Sequence, residues 1–522
     1  MITRTPTRRL VLLTALAAVL GFAGGGAAWV LLHLIQLLTN LFLFHEWTTR
    51  SQSLADYHPD WTLFAAAVGA ALLISLLAKW APVIKGHGIP EAMEAVLTKQ
   101  SKVAPRTAIA KPVSAALAIG SGAPFGAEGP IIVTGGSIGS LLGQVIPVSA
   151  SERKILLAAG AAAGMSATFG APLAAVVLAV ELLLFEFSAR ALVPLVVSTA
   201  VASGMHSVLF GAGPLFQVPQ HDFAGLDVLP AFALLGLACG VLAIVLSRGL
   251  FFVEDLYRKL PVSDFWHPAI GALAFATVGV FVPRALGVGY DAIGDVLDAR
   301  LALGTVAALA AGKLLAWWLA LGSGTSGGTL APILLISASF GTVVGAGLND
   351  ILPGPQVALG GFAIVAMAAT FGAATQATFT AIVFVFELTR DYQVIVPLMV
   401  ATVLADIVYS AVNDDSLMTE KLRRRGLHFG RHYGADPFMH TRVADIMTIP
   451  DEVIDAAGDA PTVRPGDPAL TALRAMVEEE VEEVLVVDED GAIVGRCTLP
   501  DLLKVRKRQL DLEAHPRRAR PA

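Results

Sequence analysis

The sequence predicts an all-α polytopic membrane protein built on an internal repeat, followed by a small α/β cytoplasmic domain. Three observations carry this. The 522 residues are 55% hydrophobic and 15% charged, with a mean hydropathy of +0.70, whereas a soluble chain carries roughly 25% charged residues. Gly120-Ser-Gly-Ala-Pro-Phe-Gly-Ala-Glu-Gly-Pro130 is echoed by Gly322-Ser-Gly-Thr-Ser-Gly-Gly-Thr-Leu-Ala-Pro332, and Met165-Ser-Ala-Thr-Phe-Gly-Ala171 by Met367-Ala-Ala-Thr-Phe-Gly-Ala373. Both pairs lie 202 positions apart, as do Lys111 and Lys313. Beyond residue 426 the long apolar segments stop.

The elements follow in order. Arg4, Arg8 and Arg9 precede an apolar run that continues through Leu43, too long for a signal-peptide core. It reads as a retained helix, Leu10–Phe44, strongly tilted or broken near Gly24-Gly25-Gly26. Further apolar segments fall near 61–82, 108–119, 130–146, 153–182 and 191–210. They resume near 228–253, 267–283, 303–321, 332–348, 357–388 and 393–412. The repeat halves are expected at about 61–212 and 228–420 within a membrane domain, 1–426. Basic residues before the first helix, and Lys421, Arg423, Arg424 and Arg425 after the last, predict cytoplasmic termini and an even number of crossings. Residues 427–442 read as a linker and 508–522 as a disordered tail. Between them, 443–507 reads as a strand at Thr462–Arg464, a helix at Pro468–Glu480, strands at Val484–Asp488 and Ala492–Thr498, and a helix at Leu499–Lys507. The helix turns Leu470, Leu473, Met476 and Val477 to one face, and Glu489-Asp490-Gly491 makes the hairpin.

Three glycine-rich breaks interrupt the apolar pattern: Gly86–Pro90, Gly120–Pro130 and Gly322–Pro332. Irregular backbone at membrane depth survives only inside protein or beside a wet cavity, so the breaks are the expected site, between the halves of a transporter. An isolated buried charge costs on the order of tens of kcal/mol, and one helix N-terminus returns only about 0.3–2 kcal/mol. Several converging N-termini, with free amides and close-approach glycines, are the arrangement that would hold a small anion.

At these residues the chain resembles the CLC family of chloride channels and proton-coupled chloride exchangers. The family's Gly-Ser-Gly-Ile-Pro-Glu appears as Gly86-His87-Gly88-Ile89-Pro90-Glu91, its Gly-Lys/Arg-Glu-Gly-Pro as Gly126-Ala127-Glu128-Gly129-Pro130, and its Gly-x-Phe-x-Pro as Gly328-Thr329-Leu330-Ala331-Pro332. Phe169-Gly-Ala-Pro-Leu173 before Glu181, and Glu387-Leu-Thr-Arg-Asp-Tyr-Gln393, fit as well. The resemblance covers nearly all of residues 10–426. It implies an inverted repeat, a homodimer with one pore per subunit, a multi-pass place in a bacterial inner membrane, and chloride or a similar small anion as cargo. It implies that Glu128 is the gate, and that His87, Gly88, Ile89, Ala127, Gly129, Thr329, Leu330 and Met418 line the anion path. Glu128 also reads as a simple helix cap. Lys111 matches a buried basic residue that raises the local potential, or reads as an interfacial snorkelling lysine.

The departures are specific. His87 stands where the family has serine, and Met418 where it has tyrosine, so two hydroxyl donors are missing. His87 either offers an N–H to the anion or fills space, while Met418 has no useful donor. Selectivity for another anion, such as fluoride or nitrate, is therefore an alternative. The internal proton-acceptor position of the exchangers falls on Leu182, leaving Glu181 and Glu186 as the carboxylates for proton transfer. Glu181 also reads as a structural carboxylate. Both a passive channel and a proton-coupled antiporter stay open.

Residues 441–507 resemble a single cystathionine-β-synthase-type (CBS) unit through Val443-Ala-Asp-Ile-Met-Thr448, Thr462-Val-Arg-Pro465, Val486-Val-Asp-Glu-Asp-Gly491 and Thr498-Leu-Pro-Asp501. Such units pair, which implies a partner unit from a second subunit. In nucleotide-binding relatives the Thr and Asp matching Thr498 and Asp501 contact an adenine nucleotide; here they also form a plain helix cap.

Other classes are disfavoured. A net charge of −6 gives no reason to expect nucleic acid. Cys239 and Cys497 suggest neither a disulfide framework nor a metal site. There is no His-Glu-x-x-His and no identifiable serine–histidine pair, so no catalytic residue is expected. A membrane sensor would not require three broken helix starts.

Overall fold

The computed structural model describes residues 7–185, 187–218, 226–353, 355–427, 438, 441–449, 460–488 and 490–514. The membrane part is helical throughout. Its first half runs α1 (Thr7–Thr39), α2 (Trp61–Trp80), α3 (Ile89–Thr98), α4 (Pro105–Gly120), α5 (Glu128–Val145), α6 (Ala150–Phe169), α7 (Pro172–Leu178) and α8 (Ala189–Leu209). Its second half runs α9 (Leu229–Arg258), α10 (His267–Phe281), α11 (Tyr290–Leu297), α12 (Leu303–Gly322), α13 (Leu330–Ile351), α14 (Leu359–Thr375), α15 (Thr378–Thr389) and α16 (Ile395–Ser410). A short α17 (Thr419–Arg423) follows. Seven helices among the described residues are long and apolar enough to cross a membrane, the first being Thr7–Phe44.

The repeat starts earlier than residue 61. α1 packs on α6 and α8 as α9 packs on α14 and α16, so α1 is the counterpart of α9. Nor is α1 broken at Gly24-Gly25-Gly26. Those glycines admit neighbours instead: a Cβ at Gly24 would lie 2.8 Å from that of Ala163, and one at Gly25 2.7 Å from that of Met205. Without a hydrophobic driving force between helices in lipid, close packing through small residues holds them together. The same device joins α5 to α6 and α13 to α14, where a Cβ on Gly135 would fall onto the carbonyl of Gly160, and one on Gly341 would come 2.7 Å from that of Phe362.

Two apolar segments expected as single stretches are divided. Gly170 ends α6 and Gln376 ends α14, each in a left-handed conformation. Glu181 and Glu387 then tie the second pieces together. The Glu181 carboxylate accepts from the Thr380 amide (3.0 Å) and hydroxyl (2.5 Å) at the start of α15. Glu387 accepts from the Leu173 and Ala174 amides (3.1 and 2.7 Å) at the start of α7. Each helix thus caps the other's N-terminus, which requires them to run antiparallel. This reciprocity is the signature of an inverted repeat.

The C-terminal unit has strands β1 (Thr462–Val463), β2 (Glu483–Val487) and β3 (Ile493–Thr498) in the order β1-β2-β3, with β1 parallel and β3 antiparallel to β2. Two helices, α18 (Ala469–Glu478) and α19 (Leu499–Ala514), complete it. The buried stripe of α18 is Ala469, Ala472 and Met476, whereas Val477 is exposed: small alanines let the helix lie close to the sheet. Helix α19 runs on to Ala514 rather than ending at Lys507. Most of the expected linker and the end of the expected tail lie outside the described residues.

Candidate functional site

The three glycine-rich turns meet. The Gly126 amide donates to the Gly328 carbonyl (3.2 Å), and the Gly328 amide returns the bond to Gly126 (3.0 Å). The Gly86 amide donates to Thr325 (3.2 Å), and Gly327 donates to Gly86 (3.4 Å). The starts of α3, α5 and α13 are therefore stitched into one junction, where their first amides have no intrahelical partner. Glycine is required by close approach. A Cβ on Gly129 would fall onto the carbonyl oxygen of His87, and one on Gly88 would lie 2.7 Å from that of Gly129. Ala127, Thr329, Leu330 and Ile89 are buried around the same junction.

Glu128, the first residue of α5, has no exposed surface. Its Oε1 accepts from the Tyr290 hydroxyl at 2.6 Å. Its Oε2 has no hydrogen-bond partner and lies over Gly126, where any side chain would collide with it. The amides of Glu128 and Ala331 lie near enough to act on the carboxylate electrostatically, though neither makes a normal hydrogen bond to Oε2.

Tyr290 and the turn that presents it are absent from the residues expected at the site. Gly287-Val288-Gly289-Tyr290 is the second-half counterpart of Gly86-His87-Gly88-Ile89, each turn following a proline-initiated short helix, Pro283–Ala285 and Pro82–Ile84. Gly88 and Gly289 both have positive φ, 97° and 86°. The duplicated lysines hold the two turns alike. Lys111 donates to the carbonyls of Ile84 (2.8 Å) and Gly86 (2.7 Å), and Lys313 to those of Gly287 (2.6 Å) and Val288 (3.3 Å). Both lysines are fully buried, so Lys111 does not snorkel to the interface. The signal for the fourth turn was a proline followed by Gly-x-Gly, spaced from Lys313 much as the first is from Lys111.

At the other side of the junction, His87 is buried, and its Nδ1 has no hydrogen-bond partner. Met418 is buried in the turn before α17, which packs against α3. Glu91 ties the two helices: its Oε2 accepts from the Gly88 amide (2.8 Å), while its Oε1 pairs with Lys421 (3.0 Å) and Arg425 (3.3 Å).

The carboxylates expected for proton transfer part ways. Glu181 is engaged at the start of α15, Leu182 is buried, and Glu186 lies outside the described residues. In the C-terminal unit Asp501 accepts from the Thr498 amide (3.1 Å), the Thr498 hydroxyl (2.7 Å) and Lys504 (2.7 Å). Burial pulls the Asp501 pKa upward, but these hydrogen bonds outweigh it and leave the carboxyl below its ordinary range. Among the described residues no group of three or more His, Cys, Asp or Glu side chains is placed to hold a metal ion.

The family described as voltage gated chloride channel matches residues 69–410, and the CBS domain family matches residues 443–508. A putative chloride channel protein ClcB-like from Ralstonia nicotianae is 30% identical over 375 residues, spanning 70% of this chain and 86% of that protein. The H(+)/Cl(-) exchange transporter ClcA of Vibrio campbellii is 31% identical over 387 residues, spanning 71% and 83%. The crystal structure of a slow cyanobacterial Cl-/H+ antiporter superposes with a TM-score of 0.71 at 27% identity, covering 81% of this chain and 99% of that one.

Proposed function

We propose, from the premise that the chain belongs to the voltage gated chloride channel family, that it carries small inorganic anions, chloride foremost, across a cell membrane through a pore gated by Glu128. The observation that supports this is the junction of three helix starts around one buried carboxylate. Free amides at helix N-termini attract an anion, and a carboxylate in their midst competes with it for the same donors. Protonation removes the competitor's charge and lets the anion in. His87, Gly88, Ile89, Ala127, Gly129, Thr329, Leu330 and Met418 line the path in this reading, and Lys111 supplies positive potential behind Gly86. The protein works as a homodimer in the lipid bilayer of a bacterial inner membrane, with both termini cytoplasmic.

Chloride efflux from proteoliposomes tests the gate. Glu128→Gln, which mimics the protonated carboxyl, is expected to conduct equally at acid and neutral pH. A variant that keeps the wild-type pH dependence removes Glu128 from the role.

A second reading is proton-coupled exchange, favoured by the activity named for the Vibrio campbellii relative and for the cyanobacterial neighbour. Leu182 and the capping duty of Glu181 leave Glu186 as the internal proton carrier in that case. Uphill proton movement driven by an anion gradient supports exchange, and anion flux without it supports a channel. Fluoride or nitrate preference is read in the same assay by exchanging the external anion. For the C-terminal unit, capping is the role proposed for Thr498 and Asp501. Adenine-nucleotide binding is the alternative, and calorimetric heat with ATP, ADP or AMP on the full chain decides for it.

A further inference from the structure

The hydroxyl of Tyr290 supplies the one side-chain hydrogen bond that Glu128 receives among the described residues. What positions that hydroxyl is not the carboxylate. The tyrosine ring is gripped edge-on by Phe169 (ring centroids 6.3 Å, 69°) and by Phe216 (6.3 Å, 71°), and Phe169 is itself braced edge-on by Phe384 at 5.0 Å. Edge-to-face contacts of this kind hold a ring's orientation. Its backbone begins α11 straight after Gly289, in a turn whose two preceding carbonyls are held by Lys313. Two rings and the turn held by Lys313 thus fix Tyr290 before Glu128 is considered. If the carboxylate swings away, the half-buried Tyr290 still turns its hydroxyl to the same spot, and the donor is left to bond whatever occupies it. The group arriving there is the anion. No other side-chain hydroxyl is bonded to Glu128 among the described residues, and the two positions where the family resemblance would supply hydroxyls hold His87 and Met418.

We propose that Tyr290 serves two occupants of one place in turn: its hydroxyl latches the Glu128 carboxylate while the gate is shut, and donates to the anion that replaces the carboxylate when the gate opens. Tyr290 is then a direct ligand of the transported anion as well as the gate's catch. The proposal rests on the reading of Glu128 as the gate. A hydrogen bond from the hydroxyl to a carboxylate is worth about ten- to a hundred-fold in an equilibrium and the bond to the anion about three- to ten-fold, so losing both biases the gate toward open by the difference.

The test uses the full chain with Tyr290→Phe, Glu128→Ala, the double variant and Phe169→Leu. In proteoliposomes at neutral pH, Tyr290→Phe is expected to raise chloride efflux about three- to ten-fold, the excess of the carboxylate's bond over the anion's, and no rise overturns the latch. Phe169→Leu loosens the ring but keeps the hydroxyl, so it is expected to give a smaller rise; a rise equal to that of Tyr290→Phe assigns the effect to packing and overturns the latch. In calorimetric chloride titrations, adding Tyr290→Phe to Glu128→Ala is expected to weaken binding about three- to ten-fold. Unchanged affinity overturns the ligand role. Failure of the underlying reading looks different: Glu128→Ala by itself would then retain wild-type pH dependence and bind no chloride, whatever stands at position 290.

Discussion

The two halves of the membrane domain use one backbone device and put different chemistry on it. In the first, Lys111 holds the carbonyls before α3, and the turn presents His87 and Ile89. In the second, Lys313 holds the carbonyls before α11, and the turn presents Val288 and Tyr290. The acidic side chain exists on one side only: Glu128 begins α5, whereas Leu330 begins α13. Duplication therefore supplies the scaffold of helix starts, and asymmetry in a few side chains supplies the one buried acid that we propose as the gate. The halves also differ in tolerance. Gly129 has no room for a Cβ against His87, while its counterpart, Ala331, already carries one.

That contrast gives the largest expected effect. Gly129→Ala should abolish anion efflux and lower stability by about 3 kcal/mol, the upper range for overpacking, read by thermal unfolding in detergent. A fully active variant would mean the junction is looser than its hydrogen bonds indicate. Next come the lysines. Lys111→Met leaves the Ile84 carbonyl unpaired and weakens the hold on Gly86, and Lys313→Met frees the Gly287 and Val288 carbonyls, each at a cost of about 2 kcal/mol, but only Lys313→Met should shift the pH dependence of efflux, because only that turn carries Tyr290. Equal shifts would break the comparison. The reciprocal caps should cost less: Glu181→Gln and Glu387→Gln each weaken the fold by about 1 kcal/mol, and a much larger loss of coupled proton movement in Glu181→Gln would show a transport role beyond capping. His87→Ser should change little but selectivity, raising preference for chloride over nitrate about three-fold, equivalent to one modest hydrogen bond. An unchanged permeability order leaves His87 as filler.

The last effect lies outside both halves. A carboxyl with a lowered pKa in the fold stabilises it at pH above its unfolded value and loses that contribution as pH falls through the lowered one. Asp501→Asn should therefore destabilise the C-terminal unit by about 1 kcal/mol at neutral pH and approach wild type in acid, as followed by thermal unfolding.

Much of the fold was legible in the chain. Apolar segments gave the helices, the 202-residue echo exposed the duplication, and the glycine–proline breaks marked the junction. Other features were not. α1 looked like a lone leading helix because its place in the repeat is defined by packing on α6 and α8, and the echo motifs begin later. The divisions at Gly170 and Gln376 hid within continuous hydrophobicity, since a single left-handed residue reverses a chain without changing its polarity. Tyr290 carries no local signal for its place beside Glu128, which packing alone sets.

Local rules act over a helical turn, so the residues alone determined where helices begin, which starts leave amides free, and that one of them carries an acid. Tertiary structure decided which distant group each buried polar atom meets: Tyr290 for Glu128, 162 positions away, and Thr380 for Glu181, 199 positions away. The reason is desolvation. A buried donor or acceptor must be satisfied by whatever the folded chain brings within about 3 Å, and that neighbour is set by packing of the whole rather than by any stretch of sequence.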